Sequence, residues 1–593
     1  MVSAWKGKQG MTMRLPWRRR AREEGVTIAS SVARGAILVP AALLVVLTLV
    51  GTTLFLRAQQ ALTGNLWGVP LDDAYIHFRF AQNLASGHGF AFNPDGAVPA
   101  STSPLWVIVL TLPALLGLPL WAVAKVYGVV ALALAAVLAW RVAVRLGLAP
   151  TAALVVGALT ALDGRLLWAA PSGMEVTLFT ALSLAAVLAL PEREDADAGA
   201  GSVQARLPAR RVLLLAALCG LATLARPEGY LLTVVLAVAL LAHWRDQARS
   251  SGRLLLAAAG LYLLLVLPYV AFALLTTGRP LPTTFYAKAS GLGPHTLSTA
   301  TTYLVYYILL TISGNPALLL APLGAVALWR GRATRTGRGV LNTPVVTPVV
   351  TPVVTRRATL DVISGTIPGA TPHAAPRLIA LVSVSWPLAL LLEQAIFSPV
   401  LYQFARYVMP LEPFLALWAV VGIERLTRRA AAGEAGGRRD RWRGALPPLA
   451  LLALLALTLT RWEAYYAASV RDIDDMHVAL GGWVRTHVPA GAPLALNDIG
   501  AIGYLSGRPV VDIEGLVTPQ FIALKHELPL SRRAADFYAA FHRLGVRYLI
   551  VFPDVYPWLV KASGAHLRQV YSVTLAHPVI VPAKTMVVYR ITT

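Results

Sequence analysis

Long apolar runs separated by short basic or aromatic stretches occupy the chain from residue 35 to residue 459. The first, Gly35–Leu56, carries no charge and is bracketed by Arg34 and Arg57. About 20 apolar residues cross a bilayer, so this run predicts a membrane span. Further spans are predicted at Pro119–Leu146, Ala149–Leu162, Leu166–Leu190, Val212–Leu224, Tyr230–Trp244 and Leu254–Thr276. Tyr303–Trp329, broken by Ser313-Gly314-Asn315-Pro316, reads as one discontinuous crossing of the kind that lines a cavity. Leu378–Leu392, Tyr407–Ile423 and Leu446–Leu459 complete a set of about 11 spans on the length criterion. Pro104–Leu118 is short and joins the next run through Gly-Leu-Pro, so it reads as a re-entrant or interfacial helix.

From Arg461 onward the pattern changes. Strand-like runs at Pro493–Leu496, Pro509–Ile513, Val546–Phe552 and Met586–Ile591 surround a helical pattern from Arg532 to Leu544. Strands mixed with helices over this length predict a compact α/β domain. The expected organisation is a basic N-terminus (1–33), a transmembrane domain (34–461) and a C-terminal α/β cap (462–593). The stretch 330–376 is a low-complexity loop in which Thr343-Pro344-Val345-Val346 recurs as a spacer.

Composition supports the membrane class: 56% of residues are hydrophobic and only 14% charged, with a mean hydropathy of +0.62. The net charge of +23 would suit a nucleic-acid binder. Its arginines, however, cluster between apolar runs, at Arg14–Arg22 and at Arg425–Arg443. That is the positive-inside pattern and calls for no nucleic acid. The single cysteine, Cys219, allows no intrachain disulfide and no cysteine metal cluster. The first apolar run is too long for a cleavable signal. Flanking arginines put the N-terminus inside, the loop 58–103 outside and, with an odd number of spans, the C-terminal domain outside.

This topology sends the polar residues near span ends to one face. Asp72 and Asp73, Glu175, Arg226 and Glu228, Lys288, Arg406 with Tyr407, and Asp498 and Glu514 of the cap all fall on the outer side. Ionisable residues at a membrane are costly and point to function. Each also has a plainer reading. One aspartate can cap the helix expected to begin at Ala74. Arg226 and Glu228 can form a structural ion pair, Lys288 can snorkel, and Arg406 can anchor an interface. His77, His88 and His295 lack metal-ligand spacing.

The run Asp72-Asp73-Ala74-Tyr75-Ile76-His77-Phe78-Arg79-Phe80, with Gly87-His88-Gly89-Phe90 and Ser103-Pro104-Leu105-Trp106 downstream, resembles GT-C class polyprenyl-phosphate-sugar glycosyltransferases. Among these it is most similar to the AftB-like arabinofuranosyltransferases. Gly173-Met174-Glu175, Arg226-Pro227-Glu228-Gly229, Phe285-Tyr286-Ala287-Lys288, Arg406-Tyr407, Asn497-Asp498-Ile499-Gly500 and Asp512-Ile513-Glu514-Gly515 match family positions in order. The Pro-Thr-Thr before Phe285 and the Thr-Pro-Val-Val insert depart from the family pattern.

The resemblance implies an inverting enzyme of the bacterial cytoplasmic membrane. It would move a pentose such as arabinofuranose, or a hexose such as mannose, from a polyprenyl-phosphate donor to a hydroxyl of a glycan, lipid or protein outside. Asp72 or Asp73 would be the general base. Lys288, Arg406 and, more weakly, Arg226 would hold the donor phosphate. Glu175, Glu228, Tyr75, His77, Tyr407 and Trp106 would contact substrate, with Asp498 and Glu514 as contributions from the cap. A divalent metal ion on Asp72 and Asp73 is compatible with this class. The competing reading is a transporter or flippase of a lipid-linked cell-envelope precursor, which would place charges at mid-membrane instead.

Overall fold

The structure, a computed structural model, describes residues 16–191, 207–288, 296–314, 319–330, 377–397, 399–400, 402–431, 458–561 and 567–592. Two compact units divide the chain, Met1–Leu43 with Arg338–His373, and Leu44–Gly337 with Ala374–Thr593. The second unit holds the other described elements and, from Leu44, the rest of the helix Pro16–Thr63, which begins in the first.

Apolar helices make its body. Ile37–Thr63 of α1 (Pro16–Thr63), α4 (Leu120–Arg145), Gly252–Thr277, Arg377–Phe397 and Gln403–Leu426 are long and apolar enough to cross a membrane. Pro150–Ala161 (α5) with Gly164–Ser172 would add one more crossing, bent by 43°. Several other apolar runs form helices too short for a full crossing, among them α3 (Pro104–Leu115), α7 (Val176–Ala189) and Glu228–His243. Outward-facing leucines show what surrounds these helices: Leu256, Leu264 and Leu275 are 75%, 71% and 87% exposed, a surface suited to lipid. The chain is a multi-pass membrane protein.

The expected single span Leu166–Leu190 is interrupted. Asp163 caps the short helix α6 (Gly164–Ala169), accepting from the backbone N–H groups of Arg165 and Leu166. The chain then turns through Pro171 and Gly173 (φ +81°) before α7 begins. Gly173 is required twice over, by its left-handed backbone and because a Cβ there would sit 3.0 Å from that of Ala74. The stretch between the expected spans Leu254–Thr276 and Tyr303–Trp329 is also partly helical, at Thr283–Lys288 and from Thr296 onward. The Thr-Pro-Val-Val repeat and residues 446–457 lie outside the described residues.

One helix, 458–487, runs through the expected 461/462 boundary into the C-terminal domain, with a π-helical stretch at Ile473–Val478. A five-stranded sheet follows, in the order β2-β1-β3-β5-β4: β1 Leu494–Leu496, β2 Val510–Asp512, β3 Tyr548–Val551, β4 Leu567–Thr574, β5 Thr585–Ile591. β1 pairs in parallel with β2 and β3, while β5 pairs antiparallel with β3 and β4. Alternate residues face opposite cores. Leu494, Leu496, Ile550 and Val588 pack on one side, and Ala495, Leu549, Val551 and Val587 pack with Phe521, Phe537 and Phe541 on the other. β4 was not expected: as an edge strand it is mostly half-buried or exposed and carries no apolar run to signal it. Ile76 and Phe80, from the segment Asp72–Ala85, and Phe92 beyond it join the first of these cores. Helix α2 (Asp72–Ala85) is thereby held against the C-terminal domain.

Candidate active site

Helix α2 begins at Asp72 rather than Ala74, and its N-cap is Leu71, so neither aspartate caps its own helix. Asp72 caps a different one. Its two carboxylate oxygens accept from the backbone N–H groups of Gly500 and Ala501, both at 2.7 Å, at the start of the helix Gly500–Ser506. The approach is so close that a Cβ at residue 500 would collide with the Asp72 carbonyl oxygen. Burial drives the Asp72 pKa up to about 6, against the pull of His477 and the Ala501 N–H.

Consecutive helical residues point about 100° apart, and Asp73 faces another way. It forms an ion pair with Arg406, and the Lys288 ammonium lies 3.9 Å away. Burial alone would raise the Asp73 pKa, but these two cations hold its carboxyl well below the usual range. A quarter of its side chain remains accessible, whereas Arg406 is 3% exposed.

Two local structures deliver the cations. The turn that ends in Lys288 is pinned by its threonines: Thr283 N–H donates to the Pro99 carbonyl (3.0 Å), its hydroxyl donates to the Leu516 carbonyl, and the Thr284 hydroxyl donates to the Ala100 carbonyl. The Pro-Thr-Thr that departed from the family pattern is thus what ties this turn to its neighbours. Burial works against a charged Lys288, but Tyr407 and Asp73 outweigh it and raise its pKa. Arg406 follows three non-glycine residues in left-handed conformation, Gln403, Phe404 and Ala405, at φ 55°, 54° and 49°. Such residues cost free energy and persist only where the surroundings enforce them. The enforcing group is Arg165. Its guanidinium donates to the carbonyls of Phe404 (2.7 Å) and Ala405 (3.1 Å) and pairs with Glu412, all in near-complete burial.

Tyr407 joins this cluster to a second one. Its hydroxyl accepts from Lys288 (3.2 Å) and Arg406 (3.3 Å), and the Arg226 guanidinium lies 4.9 Å over its ring. Arg226 is gripped by Glu175 (2.7 Å) and, through two bonds, by Glu228 (2.7 and 3.2 Å). Glu175 in turn lies 3.5 Å from His77, whose other ring nitrogen is 3.3 Å from the Ser101 hydroxyl. Burial pushes the His77 pKa down despite Glu175 and Asp73.

The structure therefore brings together Asp73, His77, Glu175, Arg226, Glu228, Lys288, Arg406 and Tyr407. Arg226, committed to two carboxylates, supports Tyr407 instead of offering a free charge. Other candidates lie apart. The Tyr75 ring is buried against Phe78 and Tyr504. Trp106 donates to the Gly173 carbonyl (2.9 Å) and so steadies the turn leading to Glu175. Asp498 pairs with His477 at 2.9 Å, and Glu514 is held by Lys525 and Tyr556 within the C-terminal domain. Arg165 and Glu412 were missed, although an arginine between two apolar runs is itself a signal. The acid pair does not suit a divalent metal. Both Asp72 oxygens are taken by backbone N–H groups, Asp73 faces two cations, and among the described residues no three potential ligands converge.

Residues 463–589, essentially the C-terminal domain, match a family described as Domain of unknown function (DUF8728). No curated protein matches the chain in sequence. Two crystal structures of ArnT from Cupriavidus metallidurans are similar to it along nearly their whole length. The one bound to undecaprenyl phosphate shares 15% identity over 93% of this chain and 98% of that one, with a TM-score of 0.54. The apo structure shares 14% over the same spans, with a TM-score of 0.53. The chain has the GT-C fold. Within this fold the acid pair stands at the start of α2, where the helical body meets the C-terminal domain.

Proposed function

We propose that the chain is a membrane glycosyltransferase that moves a sugar from a polyprenyl-phosphate donor to an acceptor hydroxyl on the extracytoplasmic side. The observation that carries this reading is a single accessible carboxylate, Asp73, set against two cations, Lys288 and Arg406, on a membrane body of GT-C fold. One of the similar ArnT structures is described as bound to undecaprenyl phosphate, which supports a lipid-phosphate partner here. In keeping with the sequence motifs, the donor sugar is read as a pentose such as arabinofuranose, or else a hexose such as mannose, and the acceptor as a cell-envelope glycan, lipid or protein.

In this reading Asp73 takes the proton of the acceptor hydroxyl as its oxygen bonds to the anomeric carbon. The bond from that carbon to the phosphate oxygen breaks, and the lipid phosphate leaves with the electron pair. Lys288 and Arg406 stabilise the charge that develops on it. Asp73 is a weak base while both cations face it. A donor phosphate would compete for their charge and so raise the basicity of Asp73 when substrate is bound. Arg406 has capacity for this, since its buried Nε and Nη1 have no hydrogen-bond partner among the described residues.

The test is to incubate purified protein with a panel of polyprenyl-phosphate sugars and acceptors and to assay released lipid phosphate. Release that depends on acceptor supports the proposal. Movement of intact lipid-linked sugar across a vesicle, with no release, would turn the reading to a flippase.

A further inference from the structure

A cavity of about 570 Å³ opens away from Asp73, between the later part of α2, the tip that joins α3 to α4, and Tyr504 of the C-terminal domain. Its volume lies within the range of small-ligand sites. Arg79, Gln82 and Ser86 line it from α2, and Leu118 and Trp121 line it from the tip. Arg79 is six residues beyond Asp73, about 9 Å along the helix axis, so this is a separate place from the Asp73 cluster.

The chemistry of the lining is one-sided. Among the described residues Arg79 is the only charged one in the lining, and no carboxylate of theirs pairs with its guanidinium. The Arg79 Nε donates to the Phe92 carbonyl (3.1 Å), which fixes the side chain and leaves both terminal nitrogens for a ligand. Gln82 donates its amide to the Tyr504 hydroxyl (3.0 Å), which leaves the amide oxygen and the phenolic proton for further bonds. An arginine held in this way suits the two-pronged recognition of a phosphate.

The surroundings say what the phosphate is attached to. Leu115, Leu116 and Leu118 at the tip are 62%, 68% and 47% exposed. The tip leads directly into α4, one of the helices able to cross a membrane, and Trp121 stands at its start as interfacial tryptophans do. A fixed cation beside exposed leucines at a bilayer surface matches a ligand with an anionic head and an apolar tail.

We propose that this cavity binds the phosphate headgroup of a membrane lipid, at a site separate from the Asp73 cluster. The proposal does not require the transferase reading, and its readout is binding, not transfer. Two lipids share the chemistry: an ordinary anionic phospholipid and a polyprenyl phosphate. The full chain, purified in a neutral detergent, would be titrated with phosphatidylglycerol, with polyprenyl phosphate and with phosphatidylcholine, and bound lipid counted by native mass spectrometry. R79Q should weaken binding of at least one phosphate-headed lipid tenfold or more, and R79K should recover much of it. S86E, at an exposed position, adds a repelling charge without touching the core and carries the test if R79Q fails to fold. R406Q should leave the Arg79-dependent binding unchanged. Whichever lipid is lost in R79Q and S86E is the occupant. Equal retention of both phosphate lipids in these variants, or equal binding of phosphatidylcholine, overturns the proposal.

Discussion

Asp72 and Asp73 are covalent neighbours with different tasks, and the difference has measurable consequences. Asp72 spends both oxygens on the N-terminus of the helix Gly500–Ser506. Loss of such a cap costs about 1–2 kcal/mol, so Asp72→Ala should lower the melting temperature with a much smaller effect on transfer. Asp73 accepts no such backbone bonds among the described residues, and a quarter of its side chain stays accessible. Asp73→Asn should reduce turnover by about 10²–10⁴-fold, the range for a lost general base, at normal protein levels in membranes. Unchanged turnover would remove Asp73 from the base role. Lys288→Met should act on the donor side, raising its KM, because it deletes a charge aimed at the lipid phosphate.

At the level of elements, the segment that carries Arg406 would not hold its shape by itself. Three successive left-handed residues are strained, and Arg165 supplies the bonds that compensate. Arg165 is buried with Glu412, so Arg165→Met strands a carboxylate in an apolar setting. Breaking a buried pair in this way costs about 3–5 kcal/mol. Thermal unfolding in detergent should show that loss, and the double variant Arg165→Met/Glu412→Met should recover part of it. A double variant no more stable than the single one would show that the pair is not coupled. Gly500→Ala should also destabilise, since the added Cβ meets the Asp72 carbonyl.

Across the whole molecule, α2 is clamped between the helical body and the C-terminal domain by Asp72, by the Thr283 contact to Leu516 and by the core around Phe80 and Phe92. A titratable pair sits in that clamp. Burial opposes protonation of His477, but the hydrogen bond it donates to Asp498 and the charge of Asp72 outweigh it, and its pKa lies above the usual histidine value. Below that usual value both folded and unfolded chains carry the proton, and the pair contributes its full stability. As pH rises through the folded-state pKa the contribution is lost. The raised pKa of Asp72 acts in the same direction, between its ordinary value of 3.8 and about 6. The melting temperature should therefore fall as pH rises above about 6.5, and Asp498→Asn should flatten that slope. A slope unchanged in Asp498→Asn would exclude the pair as its source.

Much of this was legible in the chain itself, because hydrophobic patterning is local. Runs of apolar residues flanked by arginine predict membrane helices wherever they pack, and short strand-like runs predicted four of the five strands. The set of ionisable residues could be gathered the same way, since each announces itself by standing near an apolar run. Which partner each one takes could not. Asp73 and Arg406 are 333 residues apart in sequence, and Asp72 and Gly500 are 428 apart. No local pattern encodes such pairings. The division of labour between the two aspartates, the grip of Arg165 on the turn before Arg406, and the capture of Arg226 by two carboxylates come from packing. Each depends on the direction a side chain takes once its helix has been rotated against its neighbours. Local patterning establishes the class of protein and the inventory of its charges, and packing sets which of those charges meet.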